Sequence, residues 1–136
     1  MILLDLNVLL DVIQQREPYY RASAAVVGEV IEGKWTAALP AHAVTTLHYL
    51  VGRYRDREAA DGVVDWLLRH FSVAGVGRAE LLRARSLGWP DFEDAVVAAA
   101  AEAADCTAIV TRNVKDFPSS PVAVLTPEEF LMGPEE

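Results

Sequence analysis

Ile2-Leu3-Leu4-Asp5-Leu6-Asn7-Val8-Leu9-Leu10-Asp11 opens the chain with a short apolar run that stops on an acid and then changes period. Ile2, Leu3 and Leu4 are contiguous and apolar, the pattern of a strand buried on both faces, whereas Val8, Leu9, Val12 and Ile13 recur with helical spacing. A buried strand that feeds a helix is the first half of a parallel crossover unit, so the remaining sequence should repeat the alternation.

It does. Residues 19–31, rich in alanine and valine, read as a second helix that Gly33 stops. Residues 35–39 suit a strand, and Pro40 opens a helix carrying Val44, Leu47, Leu50 and Val51 on one side. A helix is expected over 57–69, a strand over 71–74 and a short helix over 80–87. Residues 91–105 begin with an acidic turn and continue as an alanine-rich helix. Residues 107–111 form the most convincing interior strand, and 122–125 a last one before a helical turn from Pro127. The expected fold is an α/β three-layer sandwich, with a central, mostly parallel sheet of four to five strands flanked by helices, in a single domain over 1–136.

Composition narrows the function. With 52% hydrophobic residues and 24% charged, the 136-residue chain can build an ordinary globular core. No apolar run approaches the roughly 20 residues of a membrane span. Asp5 interrupts any signal-peptide pattern, which leads us to expect a cytoplasmic protein with no membrane partner. Cys106 is the lone cysteine, so neither an internal disulfide nor a cysteine-based zinc cluster can form. The net charge of −8 argues against a general nucleic-acid-binding surface, yet it is unevenly spread: −2 over residues 1–52, +2 over 53–85 and −8 over 86–136.

In parallel sheets ligands gather at the carboxyl ends of the strands. That rule collects Asp5 after the first strand, Asn113 and Asp116 after the fourth, and Asp91, Glu93 and Asp94 at the head of the helix between. Asp91 and Asp94 are three apart and share a helical face, while Glu93 is rotated by roughly 100°. Several carboxylates at one sheet edge repel one another unless a cation compensates, and oxygen-only donors suit Mg²⁺ or Mn²⁺. Such centres serve phosphoryl chemistry by water attack. The plain alternatives are helix capping by Asp5, Asn7 and Asp91, and turn closure by Asp116. Asp11 reads as a solvated acid or a support behind the site, and Arg112 as a solvated arginine or a phosphate contact. His42 and His48 are six apart and make no zinc pair. His70 reads as compensating a helix dipole, and Trp35, Trp66 and Trp89 as packing residues.

Three strings in order, residues 2–11, then Asp91-Phe92-Glu93-Asp94-Ala95, then Val110-Thr111-Arg112-Asn113-Val114-Lys115-Asp116-Phe117, resemble the PIN domain family, in its VapC-like toxin branch. The resemblance extends to Leu125-Thr126-Pro127-Glu128-Glu129-Phe130. It implies a Mg²⁺- or Mn²⁺-dependent ribonuclease, the toxin of a toxin–antitoxin pair, with RNA as substrate, a small antitoxin as partner and homodimers common. Position by position, Asp5, Asp94 and Asp116 match the family's acids and Asn113 the polar residue beside the last. Leu6 replaces the family's usual Thr, and His48 stands where a third-helix Glu is usual, which weakens or rearranges the centre. Asp91 is the preferred replacement acid, with Glu93 second. His48 either lines the site or packs in the core. The competing function is a catalytically weakened PIN-like module that binds RNA or protein for regulation. A metal-dependent phosphatase or a receiver domain shares the fold class, and the receiver is disfavoured because its paired acids near the first strand and its late-strand Lys are not found here in the expected order.

Overall fold

The computed structural model describes residues 1–133, so the last three residues of the expected 1–136 unit lie outside it. Five strands form one parallel sheet: β1 (Ile2–Leu4), β2 (Ala37–Pro40), β3 (Ser72–Ala74), β4 (Ala108–Val110) and β5 (Ala123–Leu125), in the order β3-β2-β1-β4-β5. All four pairings are parallel, so the sheet is wholly rather than mostly parallel. The helices are α1 (Leu6–Ile13), α2 (Tyr20–Ile31), α3 (Ala41–Tyr54), α4 (Arg57–His70), α5 (Arg78–Leu87), α6 (Phe92–Ala103) and α7 (Pro127–Leu131).

The second strand starts two residues later than its sequence pattern suggests. Trp35 is drawn out of the ladder because its ring packs edge-on against Phe130, 4.9 Å between centroids, and its indole N–H donates to Glu29 at 2.9 Å. Pro40 can end β2 because the strand's last position does not need its missing donor. Gly33, at φ +85°, closes α2 in the left-handed conformation that a side chain disfavours.

Alternation along each strand divides the core in two. Ile2, Leu4, Leu39 and Val110 face one way, against Val8, Leu9, Val26, Leu47 and Leu67 of the first four helices. Leu3, Ala38 and Ile109 face the other way, against Val97, Ala98 and Ala101 of α6. Helices on both faces make the three layers. Every residue from Ala95 to Ala101 is buried, and α6 packs on β2, β3 and β4 on one side and α5 on the other. Alanine side chains are short, so α6 can lie against the sheet with little bulk between them, and its first turn comes to the strand ends. Trp66 and Trp89 pack edge-on against Phe71 and Phe117, as expected of core residues.

Ala98 is the sharpest probe of this close approach. Ala98→Leu should lower unfolding free energy by about 1–3 kcal/mol through overpacking, measured by urea denaturation; an unchanged midpoint would mean that the layer between α6 and the sheet has room to spare.

Candidate active site

The sheet order reverses direction between β1 and β4, a topological switch point where α/β folds open a crevice at the carboxyl ends of their strands. Leu4 pairs with Val110, and the Asp5 N–H donates to the Val110 carbonyl at 3.0 Å. One step further along the same register sets Asp5 beside Thr111. The Thr111 hydroxyl donates to Asp5 Oδ2 at 2.9 Å and the Leu6 N–H to Asp5 Oδ1 at 2.8 Å.

Thr111 is saturated. Its two lone pairs accept the Asn7 amide at 3.1 Å and the Asn113 N–H at 3.2 Å. Both neighbours are pure donors, so the single hydroxyl proton has to point at Asp5. Asn7 Oδ1 meanwhile accepts the Arg112 N–H at 3.2 Å, tying the segment after β4 to α1. Leu6 offers no hydroxyl, and Thr111 brings one to Asp5 from the neighbouring strand. In the sequence Thr111 is only the polar last residue of the expected strand 107–111; the fold buries it completely.

Asp91 caps α6, accepting the Asp94 N–H at 3.2 Å, so its capping role is realised. Asp94, half-buried in the first turn, has its carboxyl pushed up to about 7. Burial is the main cause, followed by the negative charges of Asp91, Asp5, Asp116 and Glu93. Asp5 is also raised, chiefly by burial and further by Glu93, against the opposing pull of Thr111, Leu6 and His42. The causes of these two shifts place the acids of three separate segments in one field. Asp116 ends a 3-10 turn, Val114–Asp116, and is exposed, as are Asp91, Glu93 and Asn113. Glu93, despite its rotation from the Asp91 direction, is the one of the two whose charge reaches Asp5 as well as Asp94.

Three sequence expectations need correction. His48 neither lines the site nor packs in the core: its Nε2 meets Asp61 Oδ1 of α4 at 2.8 Å with the ring 43% exposed. The α3 histidine that acts on Asp5 is His42, in the first turn, whose Nδ1 is buried without a hydrogen-bond partner among the described residues. Asp11 is not solvated; it is fully buried, and Arg112 donates to it from Nε at 2.8 Å instead of standing in water. A helix residue six places after Asp5 carries no sequence mark of that pairing. His70 does end α4, where a basic residue complements the dipole.

Among the described residues no three His, Cys, Asp or Glu side chains close on one point to cage a metal ion. What converges is uncompensated negative charge from oxygen donors, and no helix there is long and apolar enough to cross a membrane.

A carboxyl raised in the folded state stabilises the fold at low pH and loses that contribution as pH climbs from its ordinary value, 3.8, through about 7. In EDTA the melting temperature should therefore fall between pH 5 and pH 8, and Asp94→Asn should flatten the profile and melt higher at pH 8. Parallel profiles would return Asp94 to the ordinary carboxylate range.

The sequence matches no curated protein. The chain resembles the toxin–antitoxin complex from Klebsiella pneumoniae at 20% identity and TM-score 0.72, over 93% of this chain and 98% of that one. It resembles FitAcB from Neisseria gonorrhoeae at 23% identity and TM-score 0.71, over 94% and 99%. VapC20 of Mycobacterium tuberculosis, a sarcin-ricin loop cleaving toxin, superposes at 14% identity and TM-score 0.63, over 80% and 87%. These likenesses speak for the fold, and the family profile described as PIN domain matches residues 1–115, so the chain belongs to the PIN domain family.

Proposed function

We propose that the protein is a divalent-metal-dependent endoribonuclease, the toxin partner of a small antitoxin. The observation that carries this reading is the acidic cluster at the switch point, where burial first, and then the charges of Asp91, Asp5, Asp116 and Glu93, push Asp94 up to about 7. So much like charge at one strand edge is costly to the fold and calls for a cation.

The donor chemistry fits Mg²⁺ or Mn²⁺. Every candidate donor is a carboxylate oxygen, and Mg²⁺ binds through one or two carboxylates while keeping waters and taking substrate phosphate oxygens, so a closed protein cage is not required. Asp5, Asp94 and Asp116 would hold it, with Asp91 or Glu93 completing the charge. When bound, the ion supplies Lewis acidity and a water of lowered pKa for attack on phosphorus. Asp5 is kept ionisable and fixed in orientation by the Thr111 hydroxyl and the Leu6 N–H. Asn7 locks Thr111 to that task. Relatives of this fold occur as a toxin–antitoxin complex and as an RNA-loop-cleaving toxin, which supports RNA as substrate and an antitoxin as partner.

The deciding experiment is cleavage of mixed structured RNAs by partner-free protein in EDTA, Mg²⁺ and Mn²⁺, beside the Asp5→Asn/Asp94→Asn chain. Metal-dependent cutting that falls to background in the double variant is expected. Wild type as inert as the variant, with no Mn²⁺ binding by calorimetry, would hand the protein to the regulatory binding-module reading. Thr111→Val should cost about 10–100-fold in activity or metal affinity, the usual effect of removing a support behind a ligand. His48→Glu sets a carboxylate against Asp61 and should leave the cleavage rate unchanged; a rise would bring position 48 back into the centre.

A further inference from the structure

Arg112 is held more firmly than a surface arginine needs to be. Asn7 and Asp11 lie four apart on α1, hence on one face, and both grip residue 112: Asn7 takes its backbone N–H at 3.2 Å and Asp11 its Nε at 2.8 Å. Asp11 Oδ2 also accepts the Ser23 hydroxyl of α2 at 3.0 Å. Tyr19 covers the flat of the guanidinium, 4.2 Å from ring centroid to Cζ. The Arg112 side chain is 19% exposed and Asp11 is 0%.

A pair whose only task is to fasten α1 to the sheet would be expected to close both of its hydrogen bonds. This one does not. Among the described residues Asp11 Oδ1 is buried with no hydrogen-bond partner, and Asp11 is the only hydrogen-bond acceptor of the guanidinium. Leaving a buried carboxylate oxygen unpaired is unfavourable, and the bidentate arginine–carboxylate pair that engages both oxygens is not formed here. The observed grip, through Nε alone, leaves the Nη1 and Nη2 edge unspent. That edge is the fork that matches two oxygens of a phosphate. It belongs to the residue that follows Thr111, whose hydroxyl holds Asp5.

We propose that Arg112 is a substrate-binding residue whose Nη1 and Nη2 take a backbone phosphate of the RNA beside the one at the acidic centre, with Asp11, Ser23 and Tyr19 positioning it. This deepens the ribonuclease reading and rests on it. A polyanion approaching five carboxylates needs a fixed cation off the reacting phosphate, and a guanidinium pinned by a buried acid is already ordered for that contact.

The test uses the Asp94→Asn chain with Mg²⁺, so that a fluorescent oligoribonucleotide of mixed sequence stays intact, and reads Kd by anisotropy across a salt series. Arg112→Ala should weaken binding roughly ten-fold or more and make the slope of log affinity against log salt shallower by about 0.7. Arg112→Lys keeps the charge but not the fork, so it should lose affinity at an unchanged slope. In the otherwise wild-type chain the same changes should raise KM with kcat little altered. Unchanged Kd, slope and KM in Arg112→Ala would overturn the proposal and leave Arg112 a structural residue. If Arg112→Ala does not fold, unchanged affinity and KM in Arg112→Lys overturn it equally. A wild-type chain that cuts RNA with these constants unmoved separates this failure from that of the ribonuclease reading, in which the wild-type chain does not cut.

Discussion

The register between β1 and β4 is the joint on which the site depends. Ile2, Leu3 and Leu4 lie against Ala108, Ile109 and Val110, and all six are buried, so a slip by one residue would move three side chains of each strand to the wrong layer. Because the apolar packing forbids that slip, the next residue of each strand is fixed too, and those residues are Asp5 and Thr111. The hydrogen bond between Thr111 and Asp5 is thus positioned by hydrophobic burial, with the polar atoms arriving where the apolar run ends. Asn7 and Asn113 then saturate the hydroxyl, so the contact is determined twice, once by the sheet and once by local donors.

The second constraint is electrostatic and opposes the first. Packing places Asp5 in a buried strand end, and α6, lying on the sheet through its alanines, carries acids in its first turn whose charge acts on Asp5 and on one another. Both carboxyls are raised as a result, which means that the fold is working against its own charge. The N-terminus of α6 offsets part of this, since free backbone N–H groups and the helix dipole favour anions there. A bound cation would offset the remainder and add to stability by mass action. An arrangement that destabilises the empty chain is a common signature of a functional site.

Most of the fold was legible in the sequence because short parallel strands buried on both faces appear as contiguous apolar runs, and because helices between them keep a different period. The alternation predicted each element to within a few residues. The site was legible as far as strand ends can be located, which gathered Asp5, Asp91, Glu93, Asp94, Asn113 and Asp116. What it could not show were contacts made by side chains across the fold. Thr111 reads as the last residue of a strand until β4 is known to lie beside β1. Asp11 looks solvated from its helix position, and only the packing of α1, α2 and the segment after β4 buries it. His42 and His48 cannot be ranked by spacing, because the rotation of α3 is set by Ala43, Leu47 and Val51 facing the core.

That rotation also bears on the family's missing third-helix acid. With Leu47 in the core, His48 turns toward α4 and meets Asp61, while His42, a turn and a half earlier, acts on Asp5 as a lowering influence. The negative charge absent from α3 is present instead on the first turn of α6, where Glu93 acts on both Asp5 and Asp94 and Asp91 acts on Asp94. Charge fields sum without regard to which helix supplies them, so the acids of α6 keep the surroundings of Asp5 and Asp94 negative although α3 contributes no acid. Arg112 stands between Thr111, which holds Asp5, and Asp116, so the one segment after β4 carries both an acid of this field and a guanidinium fixed by Asp11 of α1.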